Sequence, residues 1–310
     1  MKSRELDIPT SPPGGWHALV GGWARAHGFT SAVWLVLPGI LFMFAFFIYP
    51  VLYGVGLSFQ GRDGGVSAYV DFFTNKFPHD SGSFDSLWTT LQLAIPATVI
   101  CVLMAVPIAW RMRRGVRGLR TLTAIVMIPM TLGSVFVAEA LNNLLGPAGW
   151  LNRALQALHL VRAPIQLTGN YTGVLISLVL TGFPFAFLLM LGYASGIDPS
   201  LDSAAAILGA SPRQRFFKVD FPLLLPGATI TLALSFVLAF AVFPSATLLG
   251  NDAGPTRVLS KVAYTEYANA NYANASATAV IMAVAQLIVL AIVFLGRGRI
   301  YRGSTMGGKG

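Results

Sequence analysis

Six stretches of this chain are each long and apolar enough to cross a lipid bilayer, and that pattern constrains everything else the sequence can form. A helix needs about 20 mostly apolar residues to traverse the hydrocarbon core. Val33–Phe59, Leu87–Trp110, Leu119–Leu145, Thr172–Tyr193, Leu223–Leu249 and Ala277–Gly296 meet that length and together fill nearly half of the 310 residues. Within them the only charged residues are Arg120, at the start of the third, and Glu139. The pattern predicts an all-α, polytopic membrane protein with six transmembrane helices. One transmembrane domain, 32–296, is expected between an N-terminal arm, 1–31, and a C-terminal tail, 297–310. The first run is longer than a signal-peptide core and follows a segment of some thirty residues mixing polar, Gly and Pro positions, so it reads as a span.

Composition agrees with this. Only 11% of the residues are charged and 55% are hydrophobic, with mean hydropathy +0.67. A soluble domain carries about 25% charged residues, and a disordered chain is poor in hydrophobic ones. The net charge of +9 would suggest nucleic acid for a soluble protein, but here the excess has a simpler place. Fifteen of the 21 basic residues fall on the side of the termini, including Arg111, Arg113, Arg114, Arg117, Arg213, Arg215 and Lys218. The positive-inside rule puts both termini in the cytoplasm and leaves no role for nucleic acid.

Motifs for chemistry are scarce. His17, His27, His79 and His159 lie on separate segments with no HExxH or CxxC pattern, so no metal site is expected. Gly303-Ser-Thr-Met-Gly-Gly308-Lys309-Gly310 nearly spells a phosphate-binding loop, but Gly310 stands where a Ser or Thr would hold magnesium. Cys101 is the single cysteine and lies in an apolar run. Asn170-Tyr-Thr172 and Asn274-Ala-Ser276 match glycosylation triplets, to which no role is assigned. Prolines recur inside the spans, at 38, 50, 96, 107, 129, 184 and 244. They fit either a kinked bundle or a translocation path lined by interrupted helices.

The informative segment is 196–226, on the cytoplasmic side. Asp198-Pro199 reads as a helix start, Leu201 to Leu208 as a short Ala-rich helix, and Gly209 as the positive-φ residue that ends it. Ser211-Pro212 repeats the start signal, and Arg213–Val219 is expected as a second short helix before Phe221-Pro222. The result is a stiff elbow, with Arg213, Arg215 and Lys218 as charges and Phe216 and Phe217 as apolar anchors.

Here the chain resembles the MetI-like type I permease subunits of binding-protein-dependent ABC importers. Their loop has the form E-A-A-x3-G-x9-I-x-L-P before the penultimate span. This sequence reads Ser203-Ala204-Ala205, then Gly209, Val219 and Phe221-Pro222 in the same register, with Ser203 in place of Glu. Asp202 beside it is a candidate substitute for that acid. The resemblance implies that Ser203, Ala204, Ala205, Gly209, Arg213, Arg215, Phe216 and Pro222 belong to a loop coupled to a separate ATPase. It further implies an ATPase dimer holding ATP and magnesium, a second permease subunit, and an exported or lipid-anchored binding protein. The chain itself would bind no cofactor and catalyse nothing, and it would sit in a bacterial inner membrane.

On the opposite side, Phe72, Phe73, Phe77 and Phe84 in the first loop and Tyr264, Tyr267 and Tyr272 in the last suit either docking of a binding protein or a membrane-interface belt. Glu139 lies about 9 Å from the outer end of its span if the helix is straight. It is a candidate for the substrate pathway or for an interfacial carboxylate paired locally. Gln92, Ser134, Thr181, Ser235 and Gln286 are further pathway candidates. The Leu208-to-Phe216 stretch resembles polyamine, phosphonate and iron permeases more than sugar permeases, which favours a polyamine-like or other small polar solute. The alternatives are a sugar permease of the same family, a self-sufficient secondary carrier or channel, and a membrane scaffold or insertase.

Overall fold

The computed structural model describes residues 31–78, 82–113, 118–251, 254 and 256–300. Most of the expected N-terminal arm, the end of the tail, His17, His27, His79, Arg114 and Arg117 lie outside the described residues. The chain divides into two units at Gly56–Leu57.

α1 (Ser31–Met43) continues through a π-helical segment, Phe44–Ile48, into α2 (Tyr49–Ser58), which belongs to the first unit as far as Gly56. The wider turn lies immediately before Pro50. There the Tyr49 N–H donates to the Phe44 carbonyl, five residues back. A regular α-turn would press the proline ring on the carbonyl four residues back, and the π-turn relieves that clash.

The second unit holds the remaining helices. α3 (Ser67–Phe73) precedes the long α4 (Ser83–Met112). α5 (Leu119–Leu132), α6 (Ser134–Leu145) and α7 (Trp150–Ala157) follow, then α8 (Tyr171–Ser195). α9 (Ser200–Ile207) and α10 (Pro212–Arg215) lead through a second π segment, Phe216–Asp220, into α11 (Phe221–Phe240). α12 (Pro244–Leu249), α13 (Leu259–Ala268) and α14 (Tyr272–Ile300) complete the order.

Among the described residues, five helices are long and apolar enough to span a membrane: Val36–Ser58, Ser83–Met112, Tyr171–Ser195, Pro212–Phe240 and Tyr272–Gly296. The expected straight third span does not form. α5 and the segment Ser134–Ala157 meet at a 99° bend. The break falls on Gly133, whose φ of 79° and ψ of 152° suit glycine alone. With this bent pair counted as one span the crossings number six, and without it five; the depth assigned to Glu139 from a straight helix no longer follows.

The fifth span is also displaced from its expected limits. It starts at Pro212 and stops at Phe240, because Ala241–Phe243 leave the helix before Pro244 opens α12. The second helix of the elbow is thus continuous with the span and does not end before Phe221-Pro222. The π segment lets it pass Pro222, since the Phe221 N–H donates to the Phe216 carbonyl.

Within the second unit, α4, α8 and α11 pack closely. α4 offers a seam of small residues, Ala94, Ala97, Cys101, Ala105 and Ala109, all of them buried. Ala105 and Ala109 share a core with Ala186, Phe187, Met190 and Ala194 of α8. Small residues let helix backbones approach, which matters in lipid because apolar surfaces gain little by leaving one apolar medium for another. Gly227 serves α11 in the same way: a Cβ there would lie 2.2 Å from a ring carbon of Tyr193.

Candidate functional site: a two-helix elbow and a cavity among the long helices

The elbow is built from local signals. The Asp198 carboxylate accepts the Ser200 N–H at 2.8 Å, which holds this carboxyl below its usual pKa. α9 then runs to Ile207 and ends in a two-bond Schellman turn. The Gly209 N–H donates to Ala206 O and the Ala210 N–H to Ala205 O, both at 3.0 Å, with Gly209 at φ +82°. Ser211 closes a capping box with Gln214, and Pro212 takes the first helical position.

Two ion pairs fix the elbow. The Arg215 guanidinium meets the Asp202 carboxylate at 3.1 Å, tying α9 to α10. Asp220, at the end of the π segment, is 1% exposed. It accepts the Trp110 indole N–H at 2.6 Å and an Arg113 N–H at 2.5 Å. The Phe216 ring packs edge-on against Trp110 with centroids 4.7 Å apart. Between the elbow and the ends of α4 and α8 lies a cavity of about 460 Å³, bordered by Arg113, Ser195, Asp202 and Ser203.

Of the residues expected in the coupling loop, Ser203, Ala204, Gly209, Arg213 and Pro222 are exposed, while Ala205, Arg215 and Phe216 are half-buried. Among the described residues the most exposed apolar side chains are Ile207 and Leu208, 87% and 86% exposed at the apex of the elbow. Asp202 is buried, like Asp220, and stands next to the position where the motif has Glu.

A second cavity, of about 250 Å³, lies among the long helices. It gathers three of the six pathway candidates: Ser134 from α6, Thr181 from α8 and Ser235 from α11. Thr98 and Cys101 of α4 complete its polar wall, and among the described residues no charged one lines it. The Thr98 and Thr181 hydroxyls donate to the carbonyls of Ala94 and Ser177, one turn back. The Ser235 hydroxyl is buried and has no hydrogen-bond partner among the described residues.

Gln92 and Glu139 are elsewhere. Gln92 is exposed, and its carbonyl accepts the Tyr171 hydroxyl at 2.6 Å. Glu139 is exposed on α6 and accepts the Asn143 amide at 2.9 Å. Gln286 reaches the Val237 carbonyl at 3.4 Å and lies outside the cavity.

The loops on the other side contain helices that were not expected. Phe72 and Phe77 are buried in a core with Phe236, Phe240, Leu259 and Val262, so they are packing residues. Phe73, Phe84, Tyr264, Tyr267 and Tyr272 remain exposed. Asn170 caps α8 by accepting the Gly173 N–H, and Asn274 donates to the fully buried Glu266 at 3.2 Å. Sequence reasoning missed Glu266 and Asp220. An acid beside an apolar run is rare enough to have marked Asp220 as held by a partner.

A bundle of apolar spans, a hydroxyl-lined cavity and a projecting helix–glycine–helix elbow define a membrane permease. Residues 97–302 match the family described as the binding-protein-dependent transport system inner membrane component, and the chain belongs to that family. It is a multi-pass inner-membrane permease subunit of an ABC importer. Among its relatives is the spermidine/putrescine transport system permease protein PotB of Haemophilus influenzae, 31% identical over 210 residues, which cover 66% of this chain and 73% of that one. PotB of Escherichia coli (strain K12) is 28% identical over 219 residues, covering 70% of this chain and 79% of that one. A chain of a bacterial alginate ABC transporter, solved with an alginate pentasaccharide-bound periplasmic protein, superposes with a TM-score of 0.75 at 21% identity. That superposition covers 93% of this chain and 98% of the other and supports the fold.

Proposed function

We propose that this permease carries a small polyamine-like cation inward, delivered by an exported binding protein and driven by a separate ATPase that docks on the elbow 196–226. The observation that carries the reading is the apex of the elbow. Ile207 and Leu208 stand almost fully exposed there, outside every membrane-length apolar run, and Arg213 and Lys218 at the start of the fifth run are exposed as well. Paired apolar side chains held out by a capped turn suit a partner's groove. The basic residues on the same side favour a cytoplasmic position for the elbow and for both termini. ATP and magnesium belong to the ATPase dimer in this reading, and a second permease subunit, identical or homologous, completes the pore.

The polyamine assignment rests on the PotB relatives and on the chemistry of the cavity among the long helices. Ser134, Thr181 and Ser235 offer hydroxyl oxygens to an ammonium group, and among the described residues no carboxylate lines the cavity to trap it. Conduction needs contacts good enough to admit a solute and weak enough to release it. Reconstitution of the full transporter with its binding protein, followed by uptake of labelled spermidine, putrescine, sulfate and a neutral sugar, tests the assignment. ATP-dependent uptake of the two amines alone is expected. Uptake of sulfate or sugar with no uptake of amines overturns it.

A further inference from the structure

The elbow is joined to the membrane helices at a second place that the motif does not specify. α11 is continuous with the elbow's second helix, so any displacement of the elbow reaches it directly. α4 is separate in sequence, yet its end is tied to the same point. Asp220 accepts from Trp110 and Arg113, which lie 110 and 107 residues earlier. The side chains of the Arg113–Asp220 pair are 5% and 1% exposed. The Phe216 ring on Trp110 adds an apolar clamp one turn away.

We infer that Trp110, Arg113 and Asp220 form a positioning joint that makes α4 and α11 move together when the elbow is displaced. The inference rests on the proposed docking of an ATPase at the elbow. Its consequence falls on the second cavity. Thr98 and Cys101 on its wall come from α4, and Ser235, Leu238 and Ala239 come from α11. Thr181 and Gly182 come from α8, and Ser134 from α6. A joint between α4 and α11 keeps two walls in register while they shift against the other two. The cavity then changes shape as one step instead of one helix at a time. Within the membrane-facing core such steps are discrete, because close-packed interfaces have few alternative arrangements.

The same groups explain why the joint is stiff. A buried ion pair is costly to break from one side, because the charge left behind has no water to take its place. The Trp110 N–H adds a directional bond, so Asp220 is held from two sides of the α4 terminus. Asp202–Arg215 completes the chain of contacts from α9 to α10. From α9 to α4 the path is therefore Asp202, Arg215, the π segment, Asp220 and the Trp110–Arg113 pair.

The test uses the whole transporter in proteoliposomes, with solute uptake and ATP hydrolysis measured on the same preparation. Asp220→Asn keeps an acceptor for Trp110 and removes the charge facing Arg113. Trp110→Phe keeps a ring against Phe216 and removes the N–H. The expected result for Asp220→Asn is ATPase co-elution unchanged, hydrolysis within about 2-fold of wild type and solute moved per ATP down about 10-fold. Trp110→Phe is expected to show a smaller loss in the same ratio, about 3-fold. A purely structural role would lower assembly and hydrolysis together and leave the ratio intact, which overturns the joint. If Asp220→Asn fails to assemble, Trp110→Phe decides on the same ratio. Failure of any ATPase to co-elute with the wild-type chain instead overturns the docking reading.

Discussion

Gly209 gives the most quantitative handle on the elbow. Its φ of +82° lies in the left-handed region, and a Cβ placed there meets nothing within 4 Å. Substitution therefore acts through the backbone alone, with no clash to confuse the result. Alanine at such a position costs about 1–2 kcal/mol, while Asn is one of the few residues that visit it readily. Proline cannot adopt a positive φ, and it also removes the N–H that donates to Ala206 O at 3.0 Å. Since one or two kcal/mol corresponds to a factor of about 5–30, Gly209→Ala should weaken ATPase docking by that factor. Gly209→Asn should stay within about 3-fold, and Gly209→Pro should abolish docking. Affinity of the purified ATPase for the permease in nanodiscs, read with uptake in proteoliposomes, gives the order Gly, Asn, Ala, Pro. If Gly209→Pro binds the ATPase and supports uptake like wild type, the elbow is not the docking element.

Three further outcomes follow from the geometry. Ser235→Ala removes a buried hydroxyl without a partner and should leave the thermal midpoint unchanged. Ser235→Leu replaces the hydroxyl with a larger apolar side chain that narrows the cavity and should block uptake while ATPase assembly persists, so normal uptake by Ser235→Leu removes the cavity from the path. Gly173→Ala puts a Cβ 2.2 Å from the Leu167 carbonyl oxygen, where backbone cannot yield. It should destabilise the fold by about 1–3 kcal/mol, and an unchanged unfolding midpoint contradicts that. The Asp198 carboxyl is held below its usual pKa by the Ser200 N–H. Its contribution is present above the ordinary aspartate value and is lost only as pH falls through the lower folded value. Ser200 amide protection, followed by hydrogen exchange, should survive through the ordinary range, and Asp198→Asn should remove the pH dependence. Loss of protection at the ordinary value refutes the assignment.

The parts legible in the sequence are those whose causes are local. Asp198-Pro199, Gly209 and Ser211-Pro212 each act on their own turn, and the elbow forms at those residues. The small residues from Ala94 to Ala109 recur at near-helical spacing, and they form the buried seam of α4. The bend at Gly133 was hidden because the apolar run passes through it unbroken, and hydropathy does not register a backbone angle. The early end of the fifth span was obscured in the same way, although Pro244 marks where the helix restarts. α3 and α13 are too short and too polar to register as spans, yet they bury Phe72, Leu259 and Val262. Asp220 escaped because its meaning lies in Trp110 and Arg113, which only the folded chain brings near. Ser134, Thr181 and Ser235 converge because three separate helices each direct a hydroxyl to one cavity, which no single segment encodes.

The central claim is that solute crosses through this chain only when hydrolysis by a separate subunit is transmitted at the elbow. Labelled spermidine uptake into proteoliposomes with loaded binding protein and ATP tests it most directly, comparing the permease alone, the permease with ATPase, and Gly209→Pro with ATPase. Accumulation is expected in the second preparation and in neither of the others. Accumulation by the permease alone, or equal accumulation with Gly209→Pro, contradicts the claim.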